Sequence, residues 1–216
     1  MTVGTSGADA LLARVDVDAI TAALADQGWV VLPAFLPLEQ VQALREQAQA
    51  QWQAGDFHAA GIGRGQELNV NEAVRNDHVQ WLERAQTGAL ADYQDFIEHL
   101  RQSLNQQLYL GLFEFEAHFA VYPPGAFYKR HLDNFRGTSA RLITAIVYLN
   151  EDWRESDCGQ LRFYTDGTDG GDFVDIFPHA GSLVLFRSTR FWHEVMPARR
   201  ERFSVTGWLR ERGSAF

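Results

Sequence analysis

The sequence RFSVTGWLRE, residues 202–211, alternates between two kinds of side chain, which is typical of a β-strand. Successive side chains of a strand face opposite ways, which gives two rows: Arg202, Ser204, Thr206 and Trp208 in one, and Phe203, Val205, Gly207 and Leu209 in the other. The first row places an arginine in an otherwise apolar strand. Because a buried guanidinium needs an anionic partner, this row predicts a lined cavity for an anion such as a dicarboxylate.

The same alternation begins near residue 114 and recurs between Gly, Asp and Pro turns. The segments that show it are FEAHFAVY (115–122), SARLITAIVYLN (139–150), GQLRFYT (159–165), DFVDIFP (172–178), GSLVLFRS (181–188) and FWHEVMP (191–197). Seven or eight short strands that follow helices predict an α+β chain that is mostly β. The expected architecture is a β-sandwich or open barrel with the helices packed on one outer face.

Upstream of these strands the periodicity changes to that of helices. The expected segments are a helix over 16–28, a strand over 29–36, and two helices over 37–55 and 88–110. Residues 1–15 are expected to be a flexible tail, and residues 56–86 an irregular region. These boundaries predict one domain over 16–216, with helical support over 16–113 and a strand core over 114–210.

Composition excludes several classes of protein. The net charge of −9 argues against a nucleic-acid groove, since phosphate binding needs clustered Lys and Arg. The single cysteine, Cys158, excludes an internal disulfide framework and a Cys-based zinc site. We find no signal peptide and no apolar run long enough to cross a membrane, so a soluble, cytoplasmic protein is expected.

Three residues are candidate metal ligands. His131 and Asp133 lie two positions apart, so on a strand they would face the same object, and His193 lies downstream in the strand-rich half. Two histidines and one carboxylate form a facial triad, which suits Fe(II) oxygen chemistry, whereas zinc more often takes a closed tetrahedron or a third histidine. The spacing alone leaves open that His131 and His193 are unrelated.

Further residues are expected around the same cavity. Arg202 follows His193 by nine residues, at the start of the last long strand. In RLITAIVYLN (141–150), the row expected to point inward is Leu142, Thr144, Ile146 and Tyr148. Tyr148 would place a hydroxyl near the anion of Arg202. The strand FEAHFAVY carries His118 and Tyr122 on one face, and we expect His118 only to line the pocket.

The chain contains an H-x-D motif at 131–133, then His193, then Arg202 nine residues later. This order of residues is similar to that of Fe(II)- and 2-oxoglutarate-dependent dioxygenases. Four segments resemble more narrowly the prolyl-hydroxylase-domain branch, which includes the animal oxygen-sensing prolyl hydroxylases and their bacterial relatives: VRNDHVQWL (74–82), VYPPGAFYKRHLDN (121–134), TAIVYLNEDWRESDCGQLRFY (144–164) and FWHEVMPARRERFSVTGW (191–208). The resemblance covers about residues 16 to 210. It implies a double-stranded β-helix, which is a jelly-roll variant.

The resemblance also implies roles for individual residues. Iron would be bound by His131, Asp133 and His193, which are then the catalytic centre. The cosubstrate would be bound by Arg202, Tyr148, Thr206 and Tyr122, and the substrate pocket would be lined by Tyr128, Arg141 and Trp208. Fe(II), 2-oxoglutarate and O2 are the implied cofactor and cosubstrates, and the need for L-ascorbate stays open.

The implied reaction is hydroxylation at C4 of a prolyl residue in a protein, with release of succinate and CO2. By analogy only, the partner is a proline-containing loop of a translation elongation factor; a monomer with no nucleic-acid or membrane partner is expected. The stretch GIGRGQELNVNEAVRND (61–77) is interpreted as a loop that covers the substrate. Two alternatives remain: the same chemistry on a free amino acid, and a non-catalytic cupin-like module. A nucleic-acid demethylase is disfavoured by the acidic charge.

Overall fold

The structure of the protein is a computed structural model, which describes residues 7–61, 70–133 and 140–212. Its helices are α1 (Gly7–Leu12), α2 (Val17–Asp26), α3 (Leu38–Ala54), α4 (Gly88–Leu108) and a 3₁₀ turn (Glu155–Asp157). Its strands are β1 (Trp29–Leu32), β2 (His58–Ala59), β3 (His78–Leu82), β4 (Leu112–Tyr122), β5 (Tyr128–His131), β6 (Arg141–Tyr148), β7 (Leu161–Tyr164), β8 (Phe173–Ile176), β9 (Leu183–Arg187), β10 (His193–Val195) and β11 (Arg202–Glu211).

The strands form two antiparallel sheets that face each other. The larger sheet has seven strands in the order β1-β9-β6-β11-β4-β3-β2, and the smaller has four in the order β5-β10-β7-β8. β11 lies between β4 and β6, pairing Arg202 with Tyr122 on one side and Ser204 with Tyr148 on the other. This is the jelly-roll core that the sequence predicted.

Two apolar clusters lie on opposite faces of the seven-stranded sheet. One cluster packs Phe203, Val205 and Leu209 of β11 against the buried faces of the helices. The other lies between the two sheets and includes Tyr122, Ile146 and Tyr148. The alternation in β11 therefore separates a helix-packed face from a cavity-lining face, as the sequence predicted.

Gly207 is required where β11 meets β4. A Cβ atom at this position would lie 2.6 Å from the ring of Phe115 and 2.7 Å from the backbone oxygen of Glu116. A strand interior usually disfavours glycine, because glycine loses more backbone entropy and has no side chain to pack. Here glycine allows the two strands to pack closely beside the aromatic ring.

The prediction of a flexible tail over residues 1–15 is wrong for the described part, from residue 7 onward. Residues 7–12 form α1, which packs against α4, and Leu11 is completely buried. The short apolar pattern of ADALL gave too weak a periodic signal, and the burial of Leu11 against the long helix stabilises the turn. Residues 1–6 lie outside the described residues.

The prediction of an irregular region over residues 56–86 is also wrong in part. His78–Leu82 forms β3, which pairs with β4, and His58–Ala59 forms β2 beside it. The segment HVQWL alternates polar and apolar residues over only four positions, which is too short a pattern to identify a strand, and its pairing with β4 decides its structure. The predicted substrate-covering loop (61–77) lies largely outside the described residues, since positions 62–69 are not described.

Within the described ranges, no helix is long and apolar enough to cross a membrane.

Candidate active site

His131, Asp133 and His193 come together at one end of the space between the sheets. One donor atom from each lies within 4.8 Å of the others. Nε2 of His131 is 3.5 Å from Oδ1 of Asp133, and Nε2 of His193 is 3.6 Å from Oδ2. Donor atoms bound to one ion at about 2.1 Å and at right angles are separated by roughly 3 Å, so this spacing fits a shared metal.

Backbone carbonyl groups fix the orientation of both imidazole rings. Nδ1 of His131 is 2.8 Å from the oxygen of Lys129, and Nδ1 of His193 is 3.1 Å from the oxygen of Phe191. A carbonyl oxygen only accepts, so each Nδ1 carries the proton and each Nε2 keeps its lone pair for a metal. β10 pairs His193 directly with His131 of β5, which explains why the rings are adjacent.

Asp133 is supported from the larger sheet. The hydroxyl group of Thr144 donates to Oδ2 of Asp133 at 2.7 Å and lies 2.8 Å from the hydroxyl oxygen of Ser188. Both hydroxyl residues are fully buried. Burial alone would raise the pKa of Asp133, but His193, His131 and the Thr144 hydrogen bond together hold this pKa well below its usual range, so the carboxylate is ionised.

The pKa of His193 is lowered to about 4 by burial and by the proximity of His131, so its ring is neutral at physiological pH. A neutral imidazole is the form that binds a metal. The triad therefore presents two neutral nitrogen donors and one carboxylate, which is the donor set that non-haem Fe(II) oxygenases use.

Tyr128 lies against the triad. Its ring stacks on that of His131 with centroids 3.5 Å apart, and the guanidinium of Arg75 lies 4.0 Å above its other face. Arg75 forms a bidentate ion pair with the fully buried Asp77. Tyr128, predicted as a substrate-pocket residue, is thus a wall of the site next to a metal ligand.

Arg202 lies deep between the sheets and is 2% exposed. Its Nε donates to the oxygen of Gly159 at 2.9 Å. No carboxylate of the described residues forms an ion pair with its guanidinium, which is unusual for a buried charge. An external anion would supply the missing partner.

Two of the other predicted cosubstrate residues, Tyr148 and Tyr122, flank Arg202, and the third, Thr206, lies further along β11. The rings of Tyr148 and Tyr122 lie 4.9 Å and 5.0 Å from its Cζ atom. The buried hydroxyl of Tyr148 has no partner at hydrogen-bond distance within the described part of the chain. Burial raises its pKa by more than the adjacent guanidinium of Arg202 lowers it, so the hydroxyl keeps its proton for donation. Thr206 lies on the same row of β11, and its hydroxyl is 3.2 Å from that of Ser204.

The rim of the site carries the remaining predicted residues. Arg141 forms an ion pair with Glu116 at 2.8 Å and lies 3.4 Å above the ring of Trp208. Trp208 also neighbours His118, whose ring is 5.0 Å from the half-exposed Trp81. The result is a wall of aromatic and cationic groups beside the triad.

Comparisons with known proteins agree with this geometry. The sequence model of the 2OG-Fe(II) oxygenase superfamily matches residues 117–210. The crystal structure of a Pseudomonas putida prolyl-4-hydroxylase is similar, with 42% sequence identity and a TM-score of 0.81, over 92% of this chain and 100% of that one. The chain belongs to the 2OG-Fe(II) oxygenase superfamily.

Within this superfamily the chain is a member of the prolyl-hydroxylase branch. A Trichoplax adhaerens prolyl hydroxylase, solved with a peptide of hypoxia inducible factor, is 27% identical with a TM-score of 0.78, over 90% of this chain and 89% of that one. Human Egl nine homolog 1 is 30% identical over 204 residues, which are 90% of this chain and 46% of that protein. The chain spans about half the length of the Egl nine homologues that it matches.

The 2OG-Fe(II) oxygenase superfamily uses Fe(II), 2-oxoglutarate and O2, and the residues present fit these groups. The triad offers two oriented nitrogen donors and an ionised carboxylate to the metal. Arg202 and the unpartnered hydroxyl of Tyr148 offer a cation and a proton donor to a dicarboxylate.

Sequence reasoning did not identify the residues that support the site. Thr144 and Ser188 are 44 positions apart, and no local pattern indicates that their hydroxyl groups meet. Arg75 and Asp77 lie in the region predicted to be irregular, although VRNDHVQWL was part of the family resemblance. The sequence signal that could have identified them is the pair of opposite charges two residues apart, directly before the unpredicted strand β3.

Proposed function

We propose that this protein is an Fe(II)- and 2-oxoglutarate-dependent prolyl hydroxylase that acts at C4 of a proline residue in another protein. One observation carries the proposal: a buried arginine without a described carboxylate partner and an oriented His-Asp-His triad both adjoin the apolar cluster between the two sheets. Arg202 meets this cluster at Tyr122 and Tyr148, and the triad meets it at Tyr128 and Phe186. An anion site and a metal site on one cluster match a cosubstrate that binds both. The similarity to prolyl hydroxylases supports the choice of substrate.

When bound, iron with 2-oxoglutarate and O2 supplies the oxidising chemistry, in which 2-oxoglutarate becomes succinate and CO2 while one oxygen atom enters a C–H bond. His131, Asp133 and His193 would hold the metal. Arg202 would neutralise the distal carboxylate of 2-oxoglutarate, and the Tyr148 hydroxyl would donate a hydrogen bond to it.

The rest of the cavity excludes water from the reacting groups. Ile146, Val184 and Phe186 are buried between the sheets, and the ring of Phe186 lies 4.9 Å from that of His193. An apolar enclosure protects a reactive intermediate from side reactions with water. The chain's role is to position the groups and to exclude solvent, while the cofactor supplies the reactivity.

A peptide substrate fits the rim better than a free amino acid. Trp81 is 46% exposed beside the buried Trp208 and the guanidinium of Arg141. Aromatic and arginine side chains are enriched where proteins bind polypeptides. A free amino acid, hydroxylated by the same chemistry, would be too small to contact these aromatic and arginine side chains as well as the triad.

Finer features of the proposal come from analogy with bacterial relatives. A proline-containing loop of a translation elongation factor is the first substrate to test. We also propose that the protein is a monomer, that it acts in the cytoplasm, and that ascorbate restores its iron when the iron is oxidised.

The test is turnover by the purified protein with Fe(II), 2-oxoglutarate and a proline-containing peptide. We expect succinate to form when the peptide is present, and the peptide to gain the mass of one oxygen atom at proline. The variant Asp133→Ala should be inactive, whereas Asp95→Ala, on the exposed face of α4, should match the wild type. Equal succinate release from Asp133→Ala, or turnover of free proline but not of peptides, would overturn the proposal.

A further inference from the structure

Regular pairing between β6 and the start of β11 ends early. Ser204 pairs with Tyr148, the last residue of β6, and one further backbone bond runs from the N–H of Leu149 to the carbonyl of Phe203 at 3.1 Å. The N–H of Phe203 does not return to the carbonyl of Leu149, and among the described strands Arg202 pairs only with Tyr122 of β4. A buried N–H that leaves the strand ladder needs another partner.

The side chain of Asn150 supplies these partners. Its Oδ1 accepts from the backbone N–H of Phe203 at 2.7 Å, and its Nδ2 donates to the carbonyl of Phe203 at 2.9 Å. The amide thus supplies the acceptor that the N–H of Phe203 lacks in the strand ladder, and adds a second donor to the carbonyl that Leu149 already contacts. Asn150 is 2% exposed, so these bonds are shielded from water.

The remaining hydrogen-bonding capacity of this amide is also used. Nδ2 donates its second proton to the carbonyl of Pro178 at 3.0 Å, and Oδ1 accepts from Nη1 of Arg45 at 3.1 Å. An amide has two donor protons and an acceptor oxygen with two lone pairs. Aspartate lacks the two protons and glutamine is one methylene longer, so neither reproduces all four bonds.

Arg45 connects this arrangement to the helical layer. It lies on α3, and its Cζ atom is 3.8 Å above the ring of Phe203. Phe203 is therefore held through its backbone by Asn150 and through its ring by Arg45. Because strand side chains alternate, fixing Phe203 toward the helices fixes Arg202 toward the cavity.

We propose that Asn150 is a positioning residue for the 2-oxoglutarate anchor, which it holds in place by pinning Phe203 beside Arg202. This inference rests on the proposed function, since it assumes that Arg202 binds the cosubstrate. Asn150 acts through the backbone and touches neither the metal ligands nor the cosubstrate. Its loss would move the guanidinium of Arg202 while leaving the triad unchanged, because the bonds of the Asn150 side chain go to Pro178, Phe203 and Arg45.

The test measures two dissociation constants on the full chain with Mn(II) in place of iron, so that no turnover occurs. We expect Asn150→Ala to raise the Kd of 2-oxoglutarate by about tenfold to a hundredfold, because small displacements of a binding group are costly. The Kd of Mn(II) should stay within about twofold. The control is Gln42→Ala, because Gln42 is an exposed residue on the same helix as Arg45 and its side chain donates to Oε2 of Glu151 at 3.1 Å. Both constants should match the wild type.

A second variant keeps the test decisive if Asn150→Ala fails to fold. Arg45→Met preserves the Asn150–Phe203 bonds but removes the cation over the ring, and we expect a smaller rise in the Kd of 2-oxoglutarate. Unchanged 2-oxoglutarate binding in the folded variants, or equal losses for both ligands, would overturn the inference. Absence of 2-oxoglutarate binding by the wild-type protein would instead overturn the proposed function.

Discussion

The hydroxyl group of Thr144 lies between two oxygen atoms and can give its single proton to only one of them. Asp133 is ionised and can only accept, so Thr144 donates to Asp133. Ser188 must then donate to the oxygen of Thr144. Two buried hydroxyl groups thus form a chain of hydrogen bonds with a fixed direction that ends on the carboxylate, which orients this oxygen ligand.

Removing the Thr144 proton should weaken metal binding. In Thr144→Val the shape is kept but Oδ2 of Asp133 loses its donor, and we expect the Kd of Mn(II) to rise by about 10–100-fold. Thr144→Ser keeps the hydroxyl and should bind Mn(II) almost as the wild type does. Titration of the folded variants with Mn(II) measures the effect, and a valine variant that binds as tightly as the serine variant would contradict it.

At the scale of elements, α1 shows how a short helix can belong to the core. Leu11 is fully buried against the helical layer, whereas its neighbour Leu12 is only partly buried. Truncation of a buried leucine removes its transfer free energy and leaves a cavity. The packed position therefore contributes more to stability than the identical residue beside it.

This difference gives a matched pair of variants. We expect Leu11→Ala to lower the free energy of unfolding by about 3 kcal/mol, and Leu12→Ala to lower it by less than half as much. Urea unfolding at one pH measures both. Equal effects would show that α1 does not pack in solution as the structure shows.

The elements that could be predicted from the sequence are those whose local pattern is strong. β11 was predicted with its two faces, because four polar or pocket residues alternate with apolar ones. β3 and α1 were missed, because their stability comes from pairing with β4 and packing on α4. Leu142 was expected to face inward, but a register shift beside it places it against the helix-side cluster.

The candidate site also contains residues that the sequence predicted and contacts that it did not. The triad and Arg202 were predicted because they follow a sequence order that resembles that of the family, and the structure brings His131, Asp133 and His193 together. The bond between Thr144 and Ser188 and the pinning of Phe203 by Asn150 were not found, since each joins residues more than forty positions apart. Such contacts depend on the register between strands, which the local sequence does not specify.

At the scale of the whole molecule, a buried histidine should make stability depend on pH. Burial, with the charge of Arg75 next, lowers the pKa of His118 from 6.5 to about 3. The unfolded chain therefore binds a proton below pH 6.5 that the folded protein does not bind. Stability is unaffected above that pH and falls as the pH decreases toward 3.

Replacing His118 by leucine should remove this dependence. Between pH 8 and pH 5 the wild type should lose about 2 kcal/mol more stability than His118→Leu, from 1.5 pH units at about 1.36 kcal/mol each. Other titrating groups, including His193, contribute equally to both proteins. Urea unfolding of the two proteins at both pH values gives the difference, and parallel losses would contradict it.

The two sheets meet the metal site from opposite sides. His131 and His193 belong to β5 and β10 of the smaller sheet, while Thr144, which holds Asp133, belongs to β6 of the larger. A bound ion would consequently act as a cross-link between the two layers. With one cysteine the chain cannot form an internal disulfide, so the bound ion would be a cross-link of a kind that this chain's cysteine content does not provide.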